Sequence, residues 1–127
     1  MRELIVALSF SLVVLAACSG DSSGIQMRTQ AFDPTTFNAQ AGSTITFTND
    51  SDQAHTVTAL EDELPEGAEY FASGDFSSES DARDDVGGGL IEPGESFEVT
   101  LSQPGTYRYV CLPHESQGMT GTIIVER

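Results

Sequence analysis

The strongest limit on this fold comes from short stretches in which apolar and polar residues alternate: Thr44-Ile45-Thr46-Phe47-Thr48, Thr56-Val57-Thr58 and Phe97-Glu98-Val99-Thr100-Leu101. Successive side chains of a strand point to opposite faces, so this period marks strands with one buried face. Turn-forming pairs punctuate them at Asp33-Pro34, Ala41-Gly42, Asn49-Asp50, Pro93-Gly94 and Pro104-Gly105. Many short strands with regular punctuation predict an all-β domain from residue 25 onward, a sandwich or barrel.

Two further stretches fit. Thr106 to Cys111, TYRYVC, puts Tyr107, Tyr109 and Cys111 on one face. Two aromatics on that face make it the inner one, so Cys111 leaves the strand pointing toward the core. Thr122 to Val125, TIIV, closes the chain as a last strand with one isoleucine on each face. Residues 60–92 break the pattern, being rich in Gly, Ser and acids. There Ser78-Glu79-Ser80-Asp81 resembles a capping box opening a short helix over about 79–85, ended by Gly87-Gly88-Gly89. Tyr70, Phe71 and Phe76 read as clamps holding this insertion against the sandwich. With 127 residues and no repeats, the chain is one domain.

Residues 1–17, MRELIVALSFSLVVLAA, carry one early arginine, an apolar run and a small-residue end, which predicts a secretory signal rather than a spanning helix. The junction Leu15 to Cys18, LAAC, resembles the lipobox of prokaryotic lipoproteins. That resemblance implies lipid on Cys18, a tether over 18–24, and an extracytoplasmic protein held at the outer face of the cytoplasmic membrane. A Cys18–Cys111 disulfide is the competing reading.

The net charge is −15, and all five basic residues are arginines. Such a surface excludes nucleic acid as a partner, because it repels phosphates. Ten acids crowd residues 61–85 against the single Arg83. They fit either a docking patch for a basic partner or the hydration needs of a halophilic protein. In molar salt the screening length is about 3 Å, so there the charge serves mainly hydration.

The chemistry concentrates in CLPHESQGM, residues 111–119. This segment holds one of two cysteines, one of two histidines and one of three methionines. Cys111 ends a strand, Pro113 turns the loop and Gly118 permits a reversal before Met119, so one tight loop can gather three side chains. The other histidine, His55, follows the loop-like Asn49 to Ala54. Taken together, His55, Cys111, His114 and Met119 give the trigonal His₂Cys set with a weak axial methionine that marks blue-copper electron-transfer sites.

In these residues the chain resembles the cupredoxins, plastocyanin and the archaeal halocyanins most of all. The loop Cys111-x-x-His114-x-x-x-x-Met119 matches, with Tyr107-x-Tyr109 before it and Gly118-Met119-x-Gly121-x-Ile123-x-Val125 after it. Upstream, Phe32-x-Pro34, Gly42-x-Thr44-Ile45-x-Phe47, Asn49 and His55-x-Val57 match, and YFASGDFSSES looks like the halocyanin middle region. The resemblance covers about residues 25–127. It implies a Greek-key β-sandwich of about seven to eight strands, one copper ion, and one-electron shuttling by a monomer between membrane-associated redox partners such as a cytochrome or oxidase.

Two positions depart from the family. Thr56 stands where plastocyanins carry an Asn that ties the two ligand loops, leaving that tie to its hydroxyl. Val110 stands where they often carry a Tyr serving a second electron route, which leaves the edge of His114 as the electron port. Pro113, lacking an N–H, cannot donate to the sulfur of Cys111. A cysteine hydrolase built on Cys111 and His114 explains neither Met119 nor His55, and a multicopper enzyme needs more histidines than the chain has. A copper carrier or store without electron transfer remains the alternative function.

Overall fold

A computed structural model describes residues 24–127. The signal segment, Cys18 and its possible disulfide lie outside the described residues. Eight strands form: β1 (Gly24–Met27), β2 (Phe32–Asp33), β3 (Thr36–Gln40), β4 (Thr44–Asn49), β5 (Thr58–Ala59), β6 (Ser96–Thr100), β7 (Gly105–Val110) and β8 (Thr120–Glu126). Gly24, at the end of the expected tether, already pairs with Thr46 as the first residue of β1.

The strands make two four-stranded sheets, ordered β2-β1-β4-β6 and β3-β8-β7-β5. Only β1 to β2 and β7 to β8 stay within one sheet; every other connection crosses between the layers. The pairings β1 with β4 and β3 with β8 are parallel. This is the expected all-β sandwich, with a core of Ile25, Met27, Phe32, Ile45, Phe47, Val57, Tyr107, Tyr109, Ile123 and Val125 between the sheets. Tyr109 stacks edge-on to Phe32 and Phe47 at centroid distances of 4.7 and 5.3 Å. Tyr107 donates its hydroxyl to the Gln103 carbonyl at 2.6 Å, a tyrosine-corner arrangement that pins the start of β7. Ile123 is buried and Ile124 half-buried, as the alternation of the last strand requires.

Two expectations need correction. Thr56-Val57-Thr58 is no half-wet strand: residues 55–59 are all buried, and β5 begins only at Thr58. The two threonine hydroxyls are tolerated there because Thr58 Oγ1 donates to Thr56 Oγ1 at 3.2 Å. The insertion helix, α1 (Glu79–Asp84), is capped by the Ser78 hydroxyl accepting from the Asp81 N–H. It ends before the glycines, which form their own 3₁₀ turn, Val86–Gly89, capped by the Asp85 carboxylate.

The insertion is knitted to the sandwich beside the His55 segment. The Ala59 N–H donates to the Phe71 carbonyl and the Ser73 N–H to the Val57 carbonyl, extending the sheet edge past β5. Tyr70 donates its hydroxyl to the Ala59 carbonyl, and Phe71 is buried against Tyr107. Both act as clamps; Phe76, half-buried, packs over Gly74 and Gly88.

Candidate metal centre

Two distant loops meet at one end of the sandwich. His55 sits in an isolated antiparallel bridge with Ile91, its N–H donating to the Ile91 carbonyl at 3.1 Å and its carbonyl accepting from Ile91 at 2.7 Å. Cys111 follows directly on β7 and precedes a kinked 3₁₀ segment, Leu112–Gln117. Gly118 then adopts the left-handed conformation, φ +80°, that an L side chain resists, and reverses the chain into Met119. The loop closes on itself through Cys111 N–H to the Met119 carbonyl at 3.0 Å and Met119 N–H to the His114 carbonyl at 3.2 Å.

The Thr56 hydroxyl joins these loops. It accepts the Leu112 N–H at 2.8 Å, across 56 residues of chain. The Thr56 N–H points at the Cys111 sulfur, 3.4 Å away. One threonine therefore holds the second loop by its side chain and touches the thiol by its backbone.

His55, Cys111 and His114 present three donor atoms within 4.8 Å of one another. His55 Nδ1 lies 3.2 Å from His114 Nδ1, and the Cys111 sulfur lies 3.6 and 3.4 Å from those two nitrogens. The centre of a triangle with these sides is about 2 Å from every corner, the length of a bond from a transition metal to imidazole or thiolate. A thiol and two imidazoles, two of the three fully buried, fit a soft ion such as copper. Cys111 and His55 are fully buried, as is Met119, while His114 keeps part of its ring accessible.

Burial shifts two of these groups in opposite directions. Burial, then the nearby His114, holds the His55 pKa below the ordinary imidazole value, with only partial opposition from the Arg28 carbonyl. Burial pushes the Cys111 thiol up, against the amides of Thr56 and His114 and the Thr56 hydroxyl. Without metal, His55 is thus kept neutral and Cys111 protonated, so the thiol must give up a proton to become a ligand.

Residues 18–126 match the family model described as copper binding proteins, plastocyanin/azurin family. The chain belongs to that family. It is 41% identical over 95 residues to plastocyanin B'/B'' of Nicotiana tabacum, covering 75% of this chain and 87% of that protein. Among solved structures it is similar to the oxidised form of plastocyanin from Dryopteris crassirhizoma, with 28% identity, a TM-score of 0.58 and coverage of 81% and 99% of the two chains. It also shares its fold with a purple cupredoxin from Nitrosopumilus maritimus, at 19% identity, TM-score 0.58, and coverage of 81% and 98%. The histidine–cysteine–histidine cluster of this plastocyanin/azurin family member is compatible with a type 1 copper electron carrier.

Sequence reasoning located all three clustered donors and the Thr56 hydroxyl as the tie between their loops, but missed two other supports. Asn49, read as a turn residue, is 2% exposed and its side chain makes four hydrogen bonds: Nδ2 donates to the carbonyls of Gln53 and Ile91, and Oδ1 accepts from the N–H and hydroxyl of Ser51. Ser73, also buried, accepts from the Val57 N–H and donates to the Gly89 carbonyl. Ser73 carries no local signal, because both partners lie 16 residues away, and the bond from Asn49 to Ile91 spans 42 residues. Glu115, next to His114, receives a bidentate pair of hydrogen bonds from Arg83 of α1 at 2.7 and 3.0 Å, which ties the insertion to the loop that follows Cys111.

Proposed function

We propose that this protein is an extracytoplasmic carrier of single electrons, with one copper ion held by His55, Cys111, His114 and Met119. The observation that carries the reading is the triangle of two imidazole nitrogens and one sulfur, 3.2 to 3.6 Å on a side, with His55 and Cys111 buried and His114 half-buried. Copper supplies the one-electron couple. The protein's part is to hold the donors so that little moves when the charge changes. Cys111 is anchored by β7 and by the Thr56 amide, and His55 by the Ile91 bridge. Met119, buried at the end of the same loop, supplies the weak axial thioether. His114 is the ring that reaches toward solvent, and its edge is the port through which a redox partner exchanges electrons.

The signal segment and Cys18 support attachment to the outer face of the membrane by lipid, with membrane redox proteins as donor and acceptor. The protein acts as a monomer and catalyses no reaction of its own. Its acidic surface supports work in high salt.

Adding Cu(II) to the purified apoprotein tests the assignment. An intense blue thiolate-to-copper absorption is expected, lost in Cys111→Ser and retained, with a shifted potential, in Met119→Leu. Colour that survives Cys111→Ser overturns the ligand set. Copper that stays bound through repeated oxidation and reduction separates an electron carrier from a metal store.

A further inference from the structure

The edge of the His55 ring that faces away from Cys111 is met by a side chain. Ser51 Oγ lies 2.8 Å from His55 Nε2. The direction of that hydrogen bond follows from the groups around the serine. Asn49 Nδ2 faces two carbonyls, those of Gln53 at 2.7 Å and Ile91 at 2.9 Å, so the amide can be oriented only one way and its Oδ1 is turned toward Ser51. Oδ1 can only accept, and it stands 2.7 Å from the Ser51 hydroxyl. A second pure acceptor, the Gln53 carbonyl, stands 3.1 Å from the same hydroxyl, while the Gln53 N–H donates to it at 3.2 Å.

A hydroxyl has one proton, and two acceptors already claim it. Toward His55 the serine therefore offers a lone pair, and Nε2 must be the nitrogen that carries hydrogen. The opposite nitrogen, Nδ1, is left with its own lone pair, aimed at the centre of the donor triangle. In the other tautomer Nδ1–H would point at the position of the metal, and Ser51 and Nε2 would face each other lone pair to lone pair.

We propose that Ser51 is a positioning residue of the metal centre: its hydroxyl, aimed by the buried Asn49, holds His55 in the Nε2–H tautomer and orients Nδ1 toward copper. The proposal rests on the reading of His55 as a ligand. Outer partners that fix a ligating imidazole contribute about ten- to a hundredfold in metal affinity. The sequence Asn49-Asp50-Ser51 thus forms a support for a ligand four residues further on.

Nitrogen-15 NMR of histidine-labelled full-length apoprotein at neutral pH reads the tautomer without any metal. His55 is expected with its proton on Nε2, and a proton on Nδ1 in the wild type overturns the proposal. Competition with a Cu(I) chelator then compares Ser51→Ala with Ser51→Thr. The alanine variant should lose about ten- to a hundredfold in affinity, and the threonine variant, which keeps a hydroxyl, should return to within about threefold of the wild type. A loss under about tenfold in Ser51→Ala, or equal losses in both variants, overturns it. Should Ser51→Ala not fold, the wild-type tautomer still decides. A wild type that takes up no copper defeats the ligand reading instead, and the metal-free NMR result stands apart from it.

Discussion

The hydroxyl of Thr56 accepts the N–H of Leu112 at 2.8 Å and so fastens the loop that starts at Cys111 to the loop that carries His55. Thr56 is 1% exposed, and its oxygen also accepts from Thr58. Thr56→Val keeps the shape of the side chain but strands both donors, and a buried donor left without a partner costs about 1–3 kcal/mol. We expect urea unfolding of the apoprotein to show a loss of about 2 kcal/mol, with copper released faster to a chelator. A valine variant as stable as the wild type would show that water satisfies the Leu112 amide and that the tie is dispensable.

The pKa shifts at the site set a pH window for the apoprotein. The Cys111 thiol is raised above its ordinary value of 9.0, so its contribution is full below that value and is lost as pH rises through it. His55 is lowered from 6.5, so its contribution is full above that value and is lost as pH falls. The apoprotein should hold the stability supplied by this pair between about pH 6.5 and 9. Cys111→Ala should flatten the alkaline limb alone. The same protonated thiol means that Cu(II) uptake near pH 8 displaces about one proton from Cys111. Calorimetry in buffers of different ionisation enthalpy counts it, and a count near zero would mean that the thiol is already ionised.

The two-layer architecture and the thiol–imidazole–thioether loop were legible because each has a local signature: period-2 alternation in β4 and β6, and the spacing of Cys111, His114 and Met119. The Ser78 cap was legible for the same reason. Burial of Thr56 and Thr58 was not, since alternating polarity reads as a wet face unless the partners of the hydroxyls are known. Asn49 read as a turn residue because its bonds to Ser51 and Gln53 are those of a local turn, while the bond to Ile91 that buries it spans 42 residues. The tie between Arg83 and Glu115 was hidden likewise, as 32 residues separate its members.

Two tyrosines of β7 should respond to loss of their hydroxyls with opposite signs. Among the described residues Tyr109 Oη has no hydrogen-bond partner, and its ring is wedged between Phe32, Phe47 and Gly121, where even a Cβ would collide with it. Tyr109→Phe removes a desolvated hydroxyl that gains nothing, and should stabilise the protein by about 1 kcal/mol. Tyr107→Phe removes the bond to the Gln103 carbonyl and should destabilise by about 1 kcal/mol. Chemical denaturation of both apo variants checks the pair, and a destabilised Tyr109→Phe would reveal a partner for that hydroxyl.

Arg83 links α1 to the loop after Cys111, but on the surface: the Arg83 and Glu115 side chains are 39% and 40% exposed. An exposed pair of this kind contributes under about 1 kcal/mol, even with bidentate geometry. Arg83→Gln should therefore lower stability by less than that in dilute buffer, and by almost nothing in molar salt, where the screening length is about 3 Å. The Arg83 hydrogen bonds hold the Glu115 carboxyl below 4.5, so the pair's contribution is present above that value and is lost as pH falls through the carboxylate range. A difference between variant and wild type that persists in molar salt would mean that Arg83 acts by packing.

Pro113 bears on the reduction potential through a donor it lacks. The Cys111 sulfur receives the Thr56 N–H at 3.4 Å, and Pro113, two residues after it, has no N–H to add. Hydrogen bonds to a metal-bound thiolate draw charge off the sulfur, weaken its donation and favour the reduced ion. Pro113 is exposed and sits in the first turn of the 3₁₀ segment, where alanine fits the backbone equally well. Pro113→Ala should then keep the blue colour and the fold while raising the potential measured by voltammetry. A potential unchanged from the wild type would show that the new N–H does not reach the sulfur, leaving the Thr56 contact and burial to set the electronic character of the thiolate.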